Sequence, residues 1–384
     1  MANRGYYEFF AGGGMARLGL GSGWKCLMAN DIDPKKLAIY RANFGEDHTV
    51  LGDVYDLKSV DLPSRPDLAW ASFPCQDLSL AGNRAGLAGE RSGAFWGFWQ
   101  AINLLRAENR QPKLLVLENV TGTLSSHGGA DFVELAQAIV SLGYDFGALV
   151  VDAIHFLPQS RPRLFIVCSL RTASPPRHIV SDGPVLPWHS EALCKAQNAL
   201  PAHLRSAWRW WKLPPPPERS VSLADLLETD EEIASWHSAG ETARLLAMMS
   251  PANAEKVKAA RLAGRRMAGT VYKRTRVEEG LGRMQRAEVR FDGVAGCLRT
   301  PGGGSSRQTV MIVDGKQTRS RLLTIREAAR LMGVPDSYVV PENYNDGYHV
   351  FGDGLAVTAV GYIRQHLLNA LCKVADPAMS IAAE

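Results

Sequence analysis

The sequence predicts an α/β protein, a doubly wound, mainly parallel sheet that carries a second, smaller and irregular domain. Three observations predict it. The first 170 residues alternate short apolar runs with stretches of helical spacing, the pattern of strand–helix–strand units. The chemically unusual residues of that half, Gly12 to Gly14, Asp31, Asp53, Cys75 and Glu118, all fall where an apolar run ends. Ligands of such sheets bind beyond the carboxyl ends of the strands. From about residue 171 the character changes: prolines cluster in "SPPR", "GPVLPW" and "LPPPPERS", and the alternation is lost until about residue 318.

Taken in order, "GYYEFFAG" and "GWKCLMANDID" read as strands that end in glycines or acids. Pro34 can then occupy the first helical position behind Asp33 as cap, and Leu37, Tyr40 and Phe44 recur at helical spacing. "HTVLGDV" and "DLAWASF" read as strands, "GAFWGFWQAINLLRAE" as a long apolar helix, and "KLLVLENV" as a fully buried strand. Asp131 with Glu134 three residues on predicts a helix opened by a capping box, with Phe132, Leu135, Ile139 and Val140 facing inward. "FGALVVDAIHF" and "RLFIVCSL" complete the strands.

Alternation returns late. "LLTIREAARLMGVPDSY" predicts a helix with Ile325, Ala328, Ala329 and Met332 on one face, and "GYHVFGDGLAVTAVGYIRQHLLNALC" a glycine turn followed by an apolar helix. The expected domains are therefore 1–170 plus 319–384, and 171–318. "WRWW" at 208–211 reads as core of the second domain.

Composition narrows the class. Of 384 residues, 46% are hydrophobic and 21% charged, which excludes a disordered chain. No apolar run approaches the roughly 20 residues of a membrane span, and "MANRGYYEFFAGGG" lacks the continuous apolar core of a secretory signal. A cytoplasmic protein with no membrane partner is expected. The six cysteines (Cys26, Cys75, Cys168, Cys194, Cys297, Cys372) include no C-x-x-C pair, so neither a disulfide framework nor a metal site is expected. Any job for Cys75 is that of a lone thiol. The net charge is +4, yet between Glu255 and Arg290 eleven Lys or Arg stand against four Glu, a local +7 (11 − 4). That segment reads as a phosphate-binding surface or as a solvated helix face.

Two features bear chemistry. "FFAGGGMARLGLG" is a strand, a glycine turn and a helix start, with acids after the next strand at Asp31 and Asp33. Glycines admit a nucleoside cofactor close to the backbone, and an acid some 20 residues on can bind ribose hydroxyls. This fits a nicotinamide oxidoreductase and a methyl-donor enzyme alike. The second feature is Cys75, delivered on Pro74 to the open end of a strand, either as a small apolar residue in a turn or as a nucleophile.

Here the sequence resembles the cytosine-C5 DNA methyltransferase family. Eight stretches in the family's order carry the resemblance: "FFAGGG", "NDID", "GDV", "FPCQDLSLAG", "ENV" at 118–120, "QSRPR" at 159–163, "LTIREAARLMGVPDSY" and "GDGLAVTAVGYI". They cover about residues 4–170 and 320–370, and the gap is where that family carries its variable target-recognition domain. The oxidoreductase reading leaves Pro-Cys-Gln and Glu-Asn-Val unused. A catalytically dead DNA-binding regulator is disfavoured by intact Cys75, Glu118 and Arg163. Amino-methylating enzymes need an Asn- or Asp-Pro-Pro-aromatic stretch, and the chain has none.

The resemblance implies the S-adenosylmethionine-dependent methyltransferase fold, S-adenosylmethionine as donor, S-adenosylhomocysteine as product, and no metal. It implies that the Cys75 thiolate adds to C6 of a flipped cytosine, with Arg161 and Arg163 activating it and Glu118 holding the ring at N3. At the donor, Phe10 would stack on adenine, Ala11, Gly12 and Gly14 would offer backbone, and Asp31, beside Ile32, would reach ribose. Asp53, beside Val54, would take the adenine amino group, and Pro74 and Asp353 would meet the donor's amino-acid end. Gln76, Ser79, Gln159 and Arg299 would face the substrate, Arg299 in the candidate reading loop "LRTPGGGSSRQ".

Partners so implied are duplex DNA and a possible cognate restriction endonuclease, with the protein monomeric and, in a prokaryote, nucleoid-associated. An RNA methyltransferase on the same core remains an alternative. Four positions depart from the family: Glu8 stands for a usual Asp, Met15 for a Gly, Asp31 for a Glu and Asp353 for an Asn. The last leaves a variant sulfonium donor open.

Overall fold

The computed structural model describes residues 4–74, 93–172, 174–233, 235–278, 282–300 and 307–374, so Cys75, Gln76 and Ser79 lie outside the described residues. The chain divides into two compact units, one of residues 1–152, 162–216 and 359–384, the other of residues 153–161 and 217–358. These borders differ from the expected domains. The proline-rich stretch to residue 216 packs with the first unit, and residues 319–358 pack with the second.

The first unit is built on seven strands: β1 (Arg4–Phe9), β2 (Trp24–Asp31), β3 (Thr49–Leu51), β4 (Leu68–Ala71), β5 (Leu114–Val120), β6 (Tyr144–Asp152) and β7 (Pro162–Leu170). Their order is β3-β2-β1-β4-β5-β7-β6. All pairings are parallel except those of β7, which runs antiparallel to both β5 and β6. The chain works outward from β1 through β2 to β3, then restarts at β4 on the other side. Strands β1 and β4 are thus neighbours at the point where the order reverses, with Phe9 opposite Ala71. A crevice opens at such a switch point. The glycine turn follows β1 there, and Phe73-Pro74 follows β4.

Helices α1 (Met15–Leu20), α2 (Pro34–Phe44), α3 (Ala94–Ala107) and α4 (Ala130–Ser141) cover this sheet. Asp33 caps α2 as expected, accepting from the Lys35 and Lys36 backbone N–H groups. One face of α3 (Phe95, Phe98, Trp99, Ile102, Leu105) joins Tyr7, Phe9, Ala69, Leu115 and Phe146 in the core. Around 25 cal/mol for each Å² of apolar surface removed from water makes such burial the main stabilising term.

The capping box expected at Asp131 does not form. Helix α4 starts at Ala130, behind Gly129 at φ 94°, with no side-chain cap, and the Asp131 carboxylate lies 2.9 Å from Nδ1 of His127. The left-handed run through His127, Gly128 and Gly129 brings the imidazole round to a carboxylate already inside the first turn. "WRWW" also belongs elsewhere than expected. Trp208 packs edge-on to Phe146 and Phe132 in the first unit's core, and Trp211 Nε1 donates to the Val167 carbonyl at 3.0 Å. The short strands β8 (Val180–Ser181) and β9 (Trp210–Trp211) and helices α5 (Glu191–Asn198) and α6 (Ala202–Arg205) lie in the same stretch.

The second unit is more regular than the loss of alternation in its sequence suggests. It holds a four-stranded antiparallel sheet of order β11-β10-β12-β13, formed by β10 (Met267–Glu278), β11 (Gly282–Arg290), β12 (Thr309–Asp314) and β13 (Gln317–Leu322). Its helices are α7 (Leu223–Leu226), α8 (Ala239–Ala247), α9 (Pro251–Leu262), α10 (Ile325–Leu331) and α11 (Tyr344–Asp353). Leu245, Met249, Val257 and Ala260 pack on Val271, Ala287, Val289 and Met311 as its core. The basic segment is therefore α9 plus the β10–β11 hairpin. Directly paired residues share a face of a sheet, so Arg274 and its partner Arg286, Tyr272 and Glu288, and Thr270 and Arg290 stand together.

Most of the stretch that opens the expected glycine turn, "GYHVFGD", is instead the end of helix α11, which Asn343 caps and which stops before Gly354. Gly347 serves close packing: a Cβ there would come within 2.7 Å of the Ile325 side chain. Helices α12 (Val357–Ile363) and α13 (Asn369–Val374) end the described chain. Arg364 donates to the Leu20 carbonyl at 3.0 Å and Arg4 to Asn369 at 2.6 Å. Among the described residues no helix is long and apolar enough to cross a membrane.

Candidate active site

At the switch point a cavity of about 250 Å³ is lined by Phe10, Asn30, Ile32, Gly52, Asp53, Val54, Tyr55, Pro74, Gly93 and Ala94. Five of the expected donor residues, Phe10, Ile32, Asp53, Val54 and Pro74, thus meet in one hollow. The turn that borders it is strained. Phe10 has φ 57°, a left-handed conformation that a bulky side chain rarely adopts and that concentrates at functional sites.

The two expected glycines differ. A Cβ on Gly12 (φ 54°) would meet nothing within 4 Å, whereas one on Gly14 (φ 78°) would strike the rings of Phe44 and Tyr40 at 2.4 and 2.9 Å. Gly12 leaves the backbone open, and Gly14 lets α2 approach. Ala11 is buried and its N–H donates to the Asn30 carbonyl at 2.9 Å.

Asp31 is buried, and both its carboxylate oxygens accept from backbone, Oδ2 from Gly12 at 2.7 Å and Oδ1 from Asp33 at 2.8 Å. Burial pushes its carboxyl above the ordinary range. Asp31 therefore holds the glycine turn against β2. Asp53 is exposed and its carboxylate accepts from the Tyr55 N–H at 3.0 Å, which leaves a charged oxygen at the mouth of the cavity. Sequence reasoning passed over two residues here. Asn30 donates to the Val50 and Gly52 carbonyls and so fixes the turn carrying Asp53. Tyr55 donates to the Gly93 carbonyl at 3.0 Å and packs on Gly97 of α3, where a Cβ would lie 2.9 Å from its ring. Asn30 stands within "NDID", which was the available signal.

On the neighbouring strands, Glu118 of β5 pairs with Arg163 of β7, Oε1 to Nε at 3.2 Å. Antiparallel pairing of β5 with β7 sets Val120 opposite Arg163 and so brings the two charges to one end of the sheet. Asn119, also unremarked in the sequence beyond its motif, is buried and donates to the Phe73 carbonyl at 3.1 Å. Its own oxygen accepts from Val120 N–H at 2.8 Å. Glu118 and the turn at Phe73-Pro74 are in this way tied to one register.

Two expected site residues are placed otherwise, both in the second unit. Arg161 is buried with its guanidinium donating to backbone carbonyls, from Nη1 to Leu298 at 2.8 Å and from Nη2 to Gly352 and Gly354 at 2.9 and 2.7 Å. Nη1 also lies 3.3 Å from the Cys297 sulfur. Gln159 is wholly buried, donating to the Leu331 carbonyl at 2.7 Å and accepting from Leu298 N–H at 3.1 Å. Groups so engaged hold a fold together and have little left for a substrate. Arg299 is exposed, and Asp353, at the end of α11, accepts from the Thr300 hydroxyl at 3.0 Å.

A strained glycine turn and an open hollow at the switch point, with a paired carboxylate on β5, place the chain among doubly wound proteins built to hold a nucleoside cofactor. Solved structures of this architecture match nearly the whole chain. The Dnmt2 methyltransferase of Schizosaccharomyces pombe gives a TM-score of 0.60 at 17% identity, covering 97% of this chain and 99% of that one. The Entamoeba histolytica methyltransferase EhMeth gives 0.62 at 13%, covering 98% and 100%. The C-5 cytosine-specific DNA methylase profile matches residues 6–369, and the chain belongs to that family. It is a DNA cytosine-5 methyltransferase. Among its relatives, the type II methyltransferase M.HhaI of Haemophilus parahaemolyticus is 26% identical over 95% of this chain and 94% of its own. M.BsuFI of Bacillus subtilis is 36% identical over 42% of this chain and 38% of its own.

Proposed function

We propose that the enzyme methylates C5 of a cytosine flipped out of duplex DNA, through a covalent bond between Cys75 and C6. The observation that carries this reading is the tie between Glu118, Asn119 and the Phe73 carbonyl. It holds a carboxyl at a fixed offset from the residues that lead into Cys75. Cytosine is a poor nucleophile at C5. Addition of a thiolate at C6 ends its aromaticity and turns C5 into an enamine carbon, which splits one hard step into easier ones. Glu118, positioned by Arg163, would hold the proton that N3 gains as Cys75 adds. After transfer C5 loses its proton to a base or water, the C6–S bond breaks, and the thiolate is restored. Within the stack the neighbouring bases cover the ring face that the thiolate must attack, so the target must be extruded.

The hollow suits S-adenosylmethionine. An aromatic ring (Phe10), aliphatic walls (Ile32, Val54), an open backbone at Gly12 and a carboxylate (Asp53) are the donor set a purine nucleoside needs. Bound there, it supplies a methyl group on cationic sulfur, an electrophile for an enamine carbon. Phe10 would stack on the adenine and Asp53 would accept from its amino group. Asp31, with both oxygens on backbone, would act on ribose through the turn it holds. The activation of Cys75 falls to Arg163, since Arg161 is committed to backbone.

The exposed arginines of the β10–β11 face and Arg299 would contact DNA, phosphates setting affinity and base edges setting sequence. The relatives' names, type II methyltransferases, favour a restriction–modification setting, and the reading extends to a cognate endonuclease and to a monomer acting in the cytoplasm. Duplex DNA carrying 5-fluorocytosine tests the adduct, because fluorine cannot leave C5 as a proton does. Incubation with S-adenosylmethionine should yield a protein–DNA complex that survives denaturation and is absent with Cys75→Ala. A wild-type enzyme that methylates cytosine but forms no such complex would contradict the covalent route.

A further inference from the structure

Beneath the glycine turn lies a group of buried ionisable side chains with no part in the chemistry above. Tyr6 and Glu8 of β1 and Cys26 of β2 share one face of the sheet, Tyr40 of α2 covers them, and Arg17 of α1 closes the side. Tyr6, Glu8 and Tyr40 are 0–1% exposed. The Tyr40 hydroxyl lies 3.5 Å from Glu8 Oε2 and 3.4 Å from the Cys26 sulfur, and it accepts from Arg17 Nη1 at 3.1 Å. Glu8 also accepts from the Arg17 backbone N–H, in the first turn of α1. The Arg17 guanidinium is further bonded to His48 and stacked 4.6 Å over Phe44. Gly14 rests on the rings of Tyr40 and Phe44. The hydrogen bonds of Glu8 to Arg17 and Tyr40 therefore lead to the start of α1 and to the ring that supports the turn.

We propose that Glu8 is a positioning residue for donor binding, acting through Arg17 and Tyr40 on the glycine turn, and that only its neutral carboxyl supports a tight donor site. The inference rests on the reading of that hollow as the S-adenosylmethionine site. Burial raises the Glu8 carboxyl to about 8, with Arg17 and the Tyr40 hydrogen bond opposing and Asp31 adding to the rise. The charged and titratable groups around it are Tyr6, Cys26 and Asp31 on the strands, Arg17 on α1, Tyr40 on α2 and His48 ahead of β3. Loss of the proton puts a second negative charge near Asp31, the residue that grips Gly12. Solvating it requires Arg17 to leave Tyr40 and His48, or the turn to open to water. Either motion shifts Gly12 to Gly14.

The test is calorimetric binding of S-adenosylmethionine to the whole enzyme between pH 6.5 and 9.5, comparing wild type with Glu8→Gln. The donor's own ammonium titrates in this range, but equally for both proteins. The wild type should lose affinity above pH 8 by up to about tenfold per pH unit relative to Glu8→Gln. Tyr40→Phe keeps the ring under Gly14 and removes a hydrogen bond to the carboxylate, so its midpoint should move to higher pH. Parallel profiles for wild type and Glu8→Gln would overturn the inference, as would an unmoved midpoint in Tyr40→Phe if Glu8→Gln does not fold. A wild type that binds no donor at any pH would overturn the donor reading itself, and this inference with it.

Discussion

Arg161 and Arg163 are two residues apart, and their guanidinium groups do different work. Arg161, in the second unit, is 2% exposed and donates to three backbone carbonyls. Arg163, in the first, is partly exposed and lies against the carboxylate of Glu118. A planar fork with five donors serves both purposes. What separates them is the partner. Three buried carbonyls turn Arg161 into scaffold, while Arg163 meets a carboxylate at a strand end and the Pro162 carbonyl. Under the proposed function, a motif that contains both arginines thus mixes support with chemistry.

The comparison breaks or sharpens under substitution. Arg161→Ala strands buried carbonyls and opens a cavity, and it should cost on the order of 3 kcal/mol or more of stability, read from the denaturant midpoint. Arg161→Lys should not restore it, since a point charge cannot span three acceptors. Arg163→Ala should lower kcat about 100-fold or more, while the denaturant midpoint moves far less than with Arg161→Ala. If Arg163→Ala unfolds the protein as readily, the division of labour fails. The smallest effect is expected at Asp353. Restoring the family's residue with Asp353→Asn should change the KM for S-adenosylmethionine by a few-fold, about 1 kcal/mol. An unchanged donor affinity would remove Asp353 from the donor site and with it the case for a variant donor.

Most of the first unit was legible because its signals are local. Glycines and acids at strand ends, and helical spacing behind Pro34, need only neighbours in sequence to be read. The Glu118–Arg163 pair was not legible, because it depends on the antiparallel register of β5 on β7, which motif order does not carry. The partners of Gln159 and Arg161 were not legible, because Leu298, Leu331 and Gly352 lie 130 or more residues downstream. Polar type alone does not tell a saturated core group from an available one. "WRWW" went to the wrong unit for a similar reason: proline-rich surroundings signal irregular backbone but not the core against which the rings pack. The capping box at Asp131 failed through competition, since His127 in a left-handed turn reaches the carboxylate first.

The central claim is methyl transfer to C5 of cytosine in DNA by way of Cys75. The direct measurement offers the purified enzyme labelled S-adenosylmethionine with mixed-sequence duplex DNA and, separately, bulk tRNA, followed by digestion to nucleosides. The account predicts labelled 5-methylcytosine from DNA alone, and none with Cys75→Ala. Label in tRNA alone, or 5-methylcytosine undiminished in Cys75→Ala, would contradict it.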